Sequence, residues 1–238
     1  MAWEIVPQKD TTTLVEAVAS AWKDWIHFGA GTGRRRSVAL GGGRVFGRFL
    51  ETAARLLAPE RAGLDELDFF WGDERCVPPD SDDSNFRLGR ERFLQPLGIS
   101  AQQIHRLRGE AMPEEAARAA EVVLRVATGT RAGQIPELDL VFLGLGEDGH
   151  VASLFPEAPA EVTDSTAVFL PVIGPKPPPQ RLTLSYPMLA RAREVWVIAS
   201  GAGKVDALRE SLRDGGTTPL ARVLRERAQT RIYTDIQS

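Results

Sequence analysis

Apolar residues recur along this chain in two rhythms. Leu14, Val15, Val18, Ala21, Trp22, Trp25 and Ile26 repeat at helical spacing and predict one helix with a buried stripe. Thr13-Leu14-Val15-Glu16 has the spacing of a capping box, so the helix is expected to open there, with Trp22 and Trp25 as core residues. Helical patterns also cover Pro113 to Thr128 and Lys204 to Leu212. The second rhythm is a set of short, nearly unbroken apolar runs that each stop at glycine or polar residues. Ser37 to Leu40 runs into Gly41-Gly42-Gly43-Arg44, and Leu67 to Trp71 runs into Gly72-Asp73-Glu74-Arg75. Leu138 to Leu143 runs into a turn from Gly144 to His150, and Glu194 to Ala199 runs into Ser200-Gly201-Ala202-Gly203-Lys204.

Unbroken apolar runs separated by helices are the mark of parallel strands covered on both faces. The pattern therefore predicts an α/β fold, a three-layer, mostly parallel Rossmann-like sheet with helices on both faces, as one domain over residues 1–238. Such sheets bind ligands beyond the carboxyl ends of their strands. The unusual polar and glycine-rich residues collect just there, so four separate loops are expected to converge on one site. The stretch Gly174-Pro175-Lys176-Pro177-Pro178-Pro179 cannot be helical and is expected to form a rigid loop within the domain.

Composition narrows the function classes. A chain of 238 residues, 43% apolar and 26% charged, is ordinary for a globular protein. Its 29 basic and 32 acidic residues leave a net charge of −3, which argues against a nucleic-acid footprint. Arg34-Arg35-Arg36 reads as a solvated loop leading into a strand. The single cysteine, Cys76, excludes an intrachain disulfide and reads as a small buried filler. The three histidines, His27, His105 and His150, have no cysteine or histidine neighbours at metal-ligand spacing. No basic-then-apolar leader and no membrane-length apolar run is present, so a cytoplasmic protein without membrane or metal partners is expected.

The Gly144 to His150 turn carries the sharpest chemistry. Gly144-x-Gly146-x-x-Gly149 matches a dinucleotide fingerprint formally, but Pro156 and Pro159 interrupt the long helix that fingerprint must open. Its glycines can instead let backbone N–H groups approach an anion, with Asp148 and His150 at the tip. An unperturbed imidazole titrates near pH 6.5 and can take a proton from water, while a neighbouring carboxylate orients the ring. The plainer alternative is a tight turn with His150 capping a following helix. In the second loop, Arg75 offers a planar fork of donors suited to phosphate, or an ion pair internal to the loop. Gly41-Gly42-Gly43-Arg44 has a phosphate-cradling composition, and Lys204, though not in a Walker loop, sits where a lysine suits a phosphate. No Gly-x-Ser-x-Gly elbow exists to support a serine hydrolase.

Together these segments resemble the 6-phosphogluconolactonase family. The resemblance rests on Trp71-Gly72-Asp73-Glu74-Arg75-Cys76-Val77-Pro78 with Ser84-Asn85, and on Leu138 to Pro156 with its Gly-Glu-Asp-Gly-His-Val-Ala-Ser-Leu-Phe-Pro block. Pro175-Lys176-Pro177-Pro178, Arg181-Leu182-Thr183-Leu184 and Lys204 complete it, so that it spans about Ser37 to Leu208. It implies hydrolysis of 6-phospho-D-glucono-1,5-lactone by a monomer without cofactor or metal. It implies His150 as the general base, Asp148 as its support, and Gly42, Gly43, Arg44, Asp73, Arg75, Asn85, Gly146, Arg181 and Lys204 around the substrate and its phosphate. Where the family usually has Ser-Gly-Gly-(Ser or Arg)-Thr-Pro, this chain reads Gly41-Gly42-Gly43-Arg44-Val45-Phe46. Phosphate contacts there must come from backbone amides or Arg44.

Two other functions share the residues. A glucosamine-6-phosphate deaminase would follow its histidine with a segment ending Asn-Glu-Pro, whereas this chain has Ser153-Leu154-Phe155-Pro156. A non-catalytic sugar-phosphate sensor would carry a DNA-binding segment, and only one helix is expected ahead of the first strand.

Overall fold

The computed structural model describes residues 3–237. Its strands and helices alternate: β1 (Trp3–Pro7), α1 (Thr11–Phe28), β2 (Arg36–Leu40), α2 (Arg44–Leu57), β3 (Leu67–Trp71), β4 (Asp73–Arg75), α3 (Asn85–Gly89), α4 (Pro113–Thr128) and β5 (Leu140–Gly144). There follow α5 (Ala160–Thr163), β6 (Phe169–Ile173), β7 (Gln180–Leu184), α6 (Tyr186–Arg191), β8 (Glu194–Ala199), α7 (Val205–Leu212), α8 (Pro219–Glu226) and β9 (Thr230–Thr234).

Six strands form one sheet in the order β1-β9-β8-β5-β2-β3, with every pairing parallel. The order reverses between β2 and β5, and right-handed crossovers then send α1 and α2 to one face and α6, α7 and α8 to the other. Contacts agree, since α1 packs on α2 while α8 packs on α6 and α7. The expected mostly parallel sheet with helices around it is what the chain forms. A second, three-stranded antiparallel sheet, β4-β7-β6, was not foreseen. It begins only one residue after β3, and Gly72 N–H donates to Leu40 O while Leu184 N–H donates to Gly72 O, so that residue bonds both sheets.

The core beneath α1 and α2 is aromatic. Trp22 lies with Phe49, Phe93 and Phe142 at ring separations of 5.4, 4.8 and 5.1 Å, and Phe46 meets Phe142 at 5.8 Å. All five rings are fully shielded. Each such burial contributes about 1.5–3 kcal/mol, which fixes the helices on the sheet and so fixes the strand ends.

Four local expectations are corrected. The capping box at the start of α1 uses Asp10 and Thr13 rather than Thr13 and Glu16: Thr13 N–H donates to Asp10 Oδ1 at 2.9 Å, and Thr13 Oγ1 accepts from Asp10 N–H at 3.1 Å. A strand, β1, precedes that helix, so the N-terminal segment is more than one helix. Arg34 and Arg35 are exposed loop residues leading into β2, as expected, although both are ion-paired, whereas Arg36 is buried as the first residue of the strand. Arg34 pairs with Asp139, Arg35 grips Asp68 through two 2.7 Å bonds, and buried Arg36 donates to Trp25 O and Ile26 O while lying over the Trp25 ring. Cys76 is half-buried rather than enclosed, and burial pushes its thiol up, away from reactivity. Among the described residues no helix is long and apolar enough to cross a membrane.

Candidate active site

The carboxyl ends of β2, β3, β5 and β8 open onto one cleft of about 170 Å³. Its walls bring together Gly42, Gly43, Asp73, Arg75, Asn85, Gly146, His150, Arg181 and Lys204. Two predicted site residues stand outside the wall. Asp148 reaches the cleft through His150, and Arg44, exposed at the first position of α2, lines an adjoining hollow with Gly43, Arg75 and Asn85. A larger hollow of about 850 Å³ shares Arg181 with the cleft and is lined by Asp148, Ser153, Phe155 and the Pro171–Pro175 segment.

The histidine loop is built tightly. His150 Nδ1 lies 2.5 Å from Asp148 Oδ1, which also accepts the His150 N–H at 3.2 Å. A carboxylate on Nδ1 makes that nitrogen the protonated one and leaves Nε2 with its lone pair. Burial alone would raise the Asp148 carboxyl, but the hydrogen bonds and charge of His150 outweigh it and hold the carboxyl below its ordinary range. Gly146 accounts for the closeness: a Cβ there would collide with both His150 Nδ1 and Asp148 Oδ1. Gly146 N–H donates to His150 O at 2.8 Å, and Leu220 N–H, at the start of α8, donates to Gly149 O at 3.2 Å. His150 therefore ends a clamped turn, and no helix follows for it to cap. The Phe155 ring stands 4.8 Å from the imidazole and also underlies the Arg181 guanidinium at 5.5 Å.

The cations come from three elements. Arg75 on β4 and Arg181 on β7 are direct cross-strand partners in the small sheet. Burial and then the charge of Arg75 pull Arg181 down, and Arg181 donates to the carbonyls of Pro178 and Lys176, at 3.1 and 3.3 Å. Lys204 donates to Leu145 O, and its ammonium is lowered first by burial and then by Lys176 and Arg44, against the raising effect of Glu147 and Asp148. Three positive side chains, Arg75, Arg181 and Lys204, thus line a cleft in a chain of net charge −3. An anion is the natural occupant.

Asp73 and Asn85 sit where the sequence placed them, but their polar groups face each other as well as the cleft. Asn85 Nδ2 donates to Asp73 O at 3.0 Å and to Asp73 Oδ1 at 3.2 Å, and Asn85 Oδ1 fills the space a Gly42 side chain would occupy. Glu74, buried and pushed up by that burial, accepts N–H bonds from Arg75, Asn85 and Phe86 and so pins this corner. Sequence reading missed Ala152, which lines the cleft, and Thr218, whose side chain packs against Gly149. Nothing in the local pattern at Thr218 marks it, because its partner lies 69 residues earlier in the chain.

A doubly wound sheet whose topological reversal holds a histidine–aspartate pair among cations defines an α/β protein built to act on a small anionic ligand. The comparisons with known proteins narrow this class. Residues 9–233 match the model of the glucosamine-6-phosphate isomerases/6-phosphogluconolactonase family, and the chain belongs to that family. It is 35% identical over 199 residues to the 6-phosphogluconolactonase of Mycobacterium tuberculosis, covering 81% of this chain and 77% of the relative. It is 36% identical over 201 residues to that of Synechocystis, covering 84% and 76%. The solved 6-phosphogluconolactonase of Trypanosoma brucei superposes with a TM-score of 0.81 at 30% identity, over 97% of this chain and 95% of that one.

Proposed function

We propose that this protein is a 6-phosphogluconolactonase, hydrolysing 6-phospho-D-glucono-1,5-lactone to 6-phospho-D-gluconate as the second step of the oxidative pentose phosphate pathway. The observation that carries the reading is the 2.5 Å bond between His150 Nδ1 and Asp148, set in a cleft shared with Arg75, Arg181 and Lys204. A base and a set of anion-binding groups are what a phosphorylated lactone requires, since a lactone is an activated ester.

His150 Nε2 takes a proton from water as the water oxygen adds to the lactone carbonyl. Asp148 stabilises the imidazolium that forms. The tetrahedral oxyanion collapses with cleavage of the bond to the ring oxygen, which takes the proton back from His150. The acid product then ionises in solution and the base is regenerated. Arg75, Arg181 and Lys204 hold the phosphate, with Gly42, Gly43 and Arg44 replacing the hydroxyl-bearing loop through backbone amides and a guanidinium. All of these groups lie on one chain, which supports a site complete within a monomer.

The test supplies the lactone in situ from glucose 6-phosphate and its dehydrogenase and follows its disappearance above the spontaneous rate. Catalysed hydrolysis is expected, with no ammonia released from glucosamine 6-phosphate. Ammonia release without lactone hydrolysis would contradict the reading and favour the deaminase branch of the family.

A further inference from the structure

The chain leaves His150 by an unfavourable route. Ala152 adopts φ +49°, the left-handed region that costs a non-glycine residue about 1–2 kcal/mol. Such a conformation persists only when its surroundings hold it, and here the holder is the next residue. Ser153 is completely buried, its Oγ donates to Asp73 Oδ2 at 2.6 Å, and its N–H donates to Thr183 Oγ1 at 3.2 Å. The Leu154 N–H closes the turn onto Val151 O at 2.9 Å.

The two anchors are not independent. Asp73 on β4 and Thr183 on β7 are direct cross-strand partners, and two residues along the same ladder the partners are Arg75 and Arg181. One pair of short antiparallel strands therefore carries both the grip on the histidine loop and the cationic wall of the cleft. A distance is built in: wherever the ladder puts the guanidinium groups, it also puts Ser153, and through three residues of chain it puts His150.

We propose that Ser153 is a positioning residue which, through its hydrogen bond to Asp73 and the left-handed turn at Ala152, sets the place of the His150 imidazole relative to Arg75 and Arg181. Asp73 then acts on the protein rather than on the substrate: one of its oxygens accepts from Ser153 and the other from Asn85, and an anion beside a phosphate would oppose binding. The inference rests on the reading of His150 as the base. It adds how that base is aimed.

Ser153→Ala removes the grip and leaves the cations in place. A misplacement of the base by about 1 Å costs on the order of 100-fold in rate. The expected result for purified Ser153→Ala, assayed well below its melting temperature, is a kcat lowered about 10- to 100-fold with KM within about threefold. Adding Ala152→Gly should recover several-fold of the lost kcat, because glycine holds φ +49° without strain once the anchor is gone. Thr183→Val, which keeps the buried shape and removes the acceptor for the Ser153 N–H, should lower kcat in the same direction by a smaller factor and serves where Ser153→Ala does not fold.

A folded Ser153→Ala or Thr183→Val protein with wild-type kcat overturns the proposal. So does a KM that rises as much as kcat falls, which would place Ser153's effect on the cationic wall. Failure of Ala152→Gly to recover any rate overturns the role of the turn. His150→Gln run in parallel separates the two levels: its inactivity beside a fully active Ser153→Ala removes this inference alone, whereas an active His150→Gln removes the base itself.

Discussion

Among the described residues there are two histidine–aspartate pairs, and the contrast between them shows what makes one a candidate catalytic group. His150 and Asp148 meet at 2.5 Å beyond the carboxyl end of β5, on the wall of a cleft ringed by cations. His105 and Asp68 meet at 3.1 Å, with Asp68 on the second residue of β3 and thus near the amino end of the sheet. Asp68 is also held by Arg35 through both oxygens, and the His105 ring lies stacked on Phe70 at 4.7 Å. Its groove of about 520 Å³ is lined by alanines, aromatic rings and the Arg106–Arg108 segment. In the first pair the carboxylate is hydrogen-bonded to the imidazole with no guanidinium on it, and can answer a proton gained there. In the second a guanidinium already neutralises the carboxylate, so the pair ties the β3 edge to the segment before α4. Residue types are the same; the end of the sheet and the third partner differ.

Substitutions can break this contrast. Asp148→Asn should leave the fold intact and lower kcat about 100-fold or more, because the imidazolium loses its counter-charge at the moment it forms. Steady-state turnover on the lactone checks this, and a loss below tenfold would make Asp148 a turn residue only. Arg75→Ala should raise KM about 10- to 100-fold with a smaller change in kcat, matching the roughly 1.5–3 kcal/mol of a hydrogen bond to a charged group. An unchanged KM would remove Arg75 from the phosphate contacts. Asp68→Asn should do the reverse of Asp148→Asn, costing about 1–3 kcal/mol in denaturant unfolding while kcat stays within about twofold.

The smallest effect is in acid. Both carboxyls are pulled up by burial and pulled down further by their partners, His150 for Asp148 and His105 with Arg35 for Asp68. A carboxyl whose folded value is depressed stabilises the fold above its unfolded value, here about 3.8, and loses that stabilisation as pH falls through the folded value. The stability difference between wild type and Asp68→Asn should therefore be full at pH 6 and shrink below about pH 3.8. A difference that grows in acid would reverse the assigned shift.

How much of this the sequence discloses depends on range. The β5 run and its Gly144 to His150 turn are legible because strand, glycines, acid and base are consecutive, and the four strand-end loops do meet at one cleft. β1 is not legible: five residues with no continuous apolar run gain strand character only by pairing with β9, more than 220 residues later. The β4-β7-β6 sheet is missed for the same reason, since β4 has three residues and two of them, Asp73 and Arg75, read as loop chemistry. The burial of Arg36 is missed because its acceptors are backbone carbonyls of Trp25 and Ile26 at the end of α1, which carry no side-chain signature in the sequence. The Ser153–Asp73 bond spans 80 positions and leaves no local trace.

The central claim is that His150, and not its counterpart, opens the lactone. Lactone hydrolysis by wild type, His150→Gln and His105→Gln, measured together on proteins shown to be folded, tests it most directly. The expected result is a His150→Gln rate indistinguishable from the spontaneous reaction beside a His105→Gln rate within about twofold of wild type. Substantial turnover by His150→Gln, or its loss in a folded His105→Gln, would contradict it.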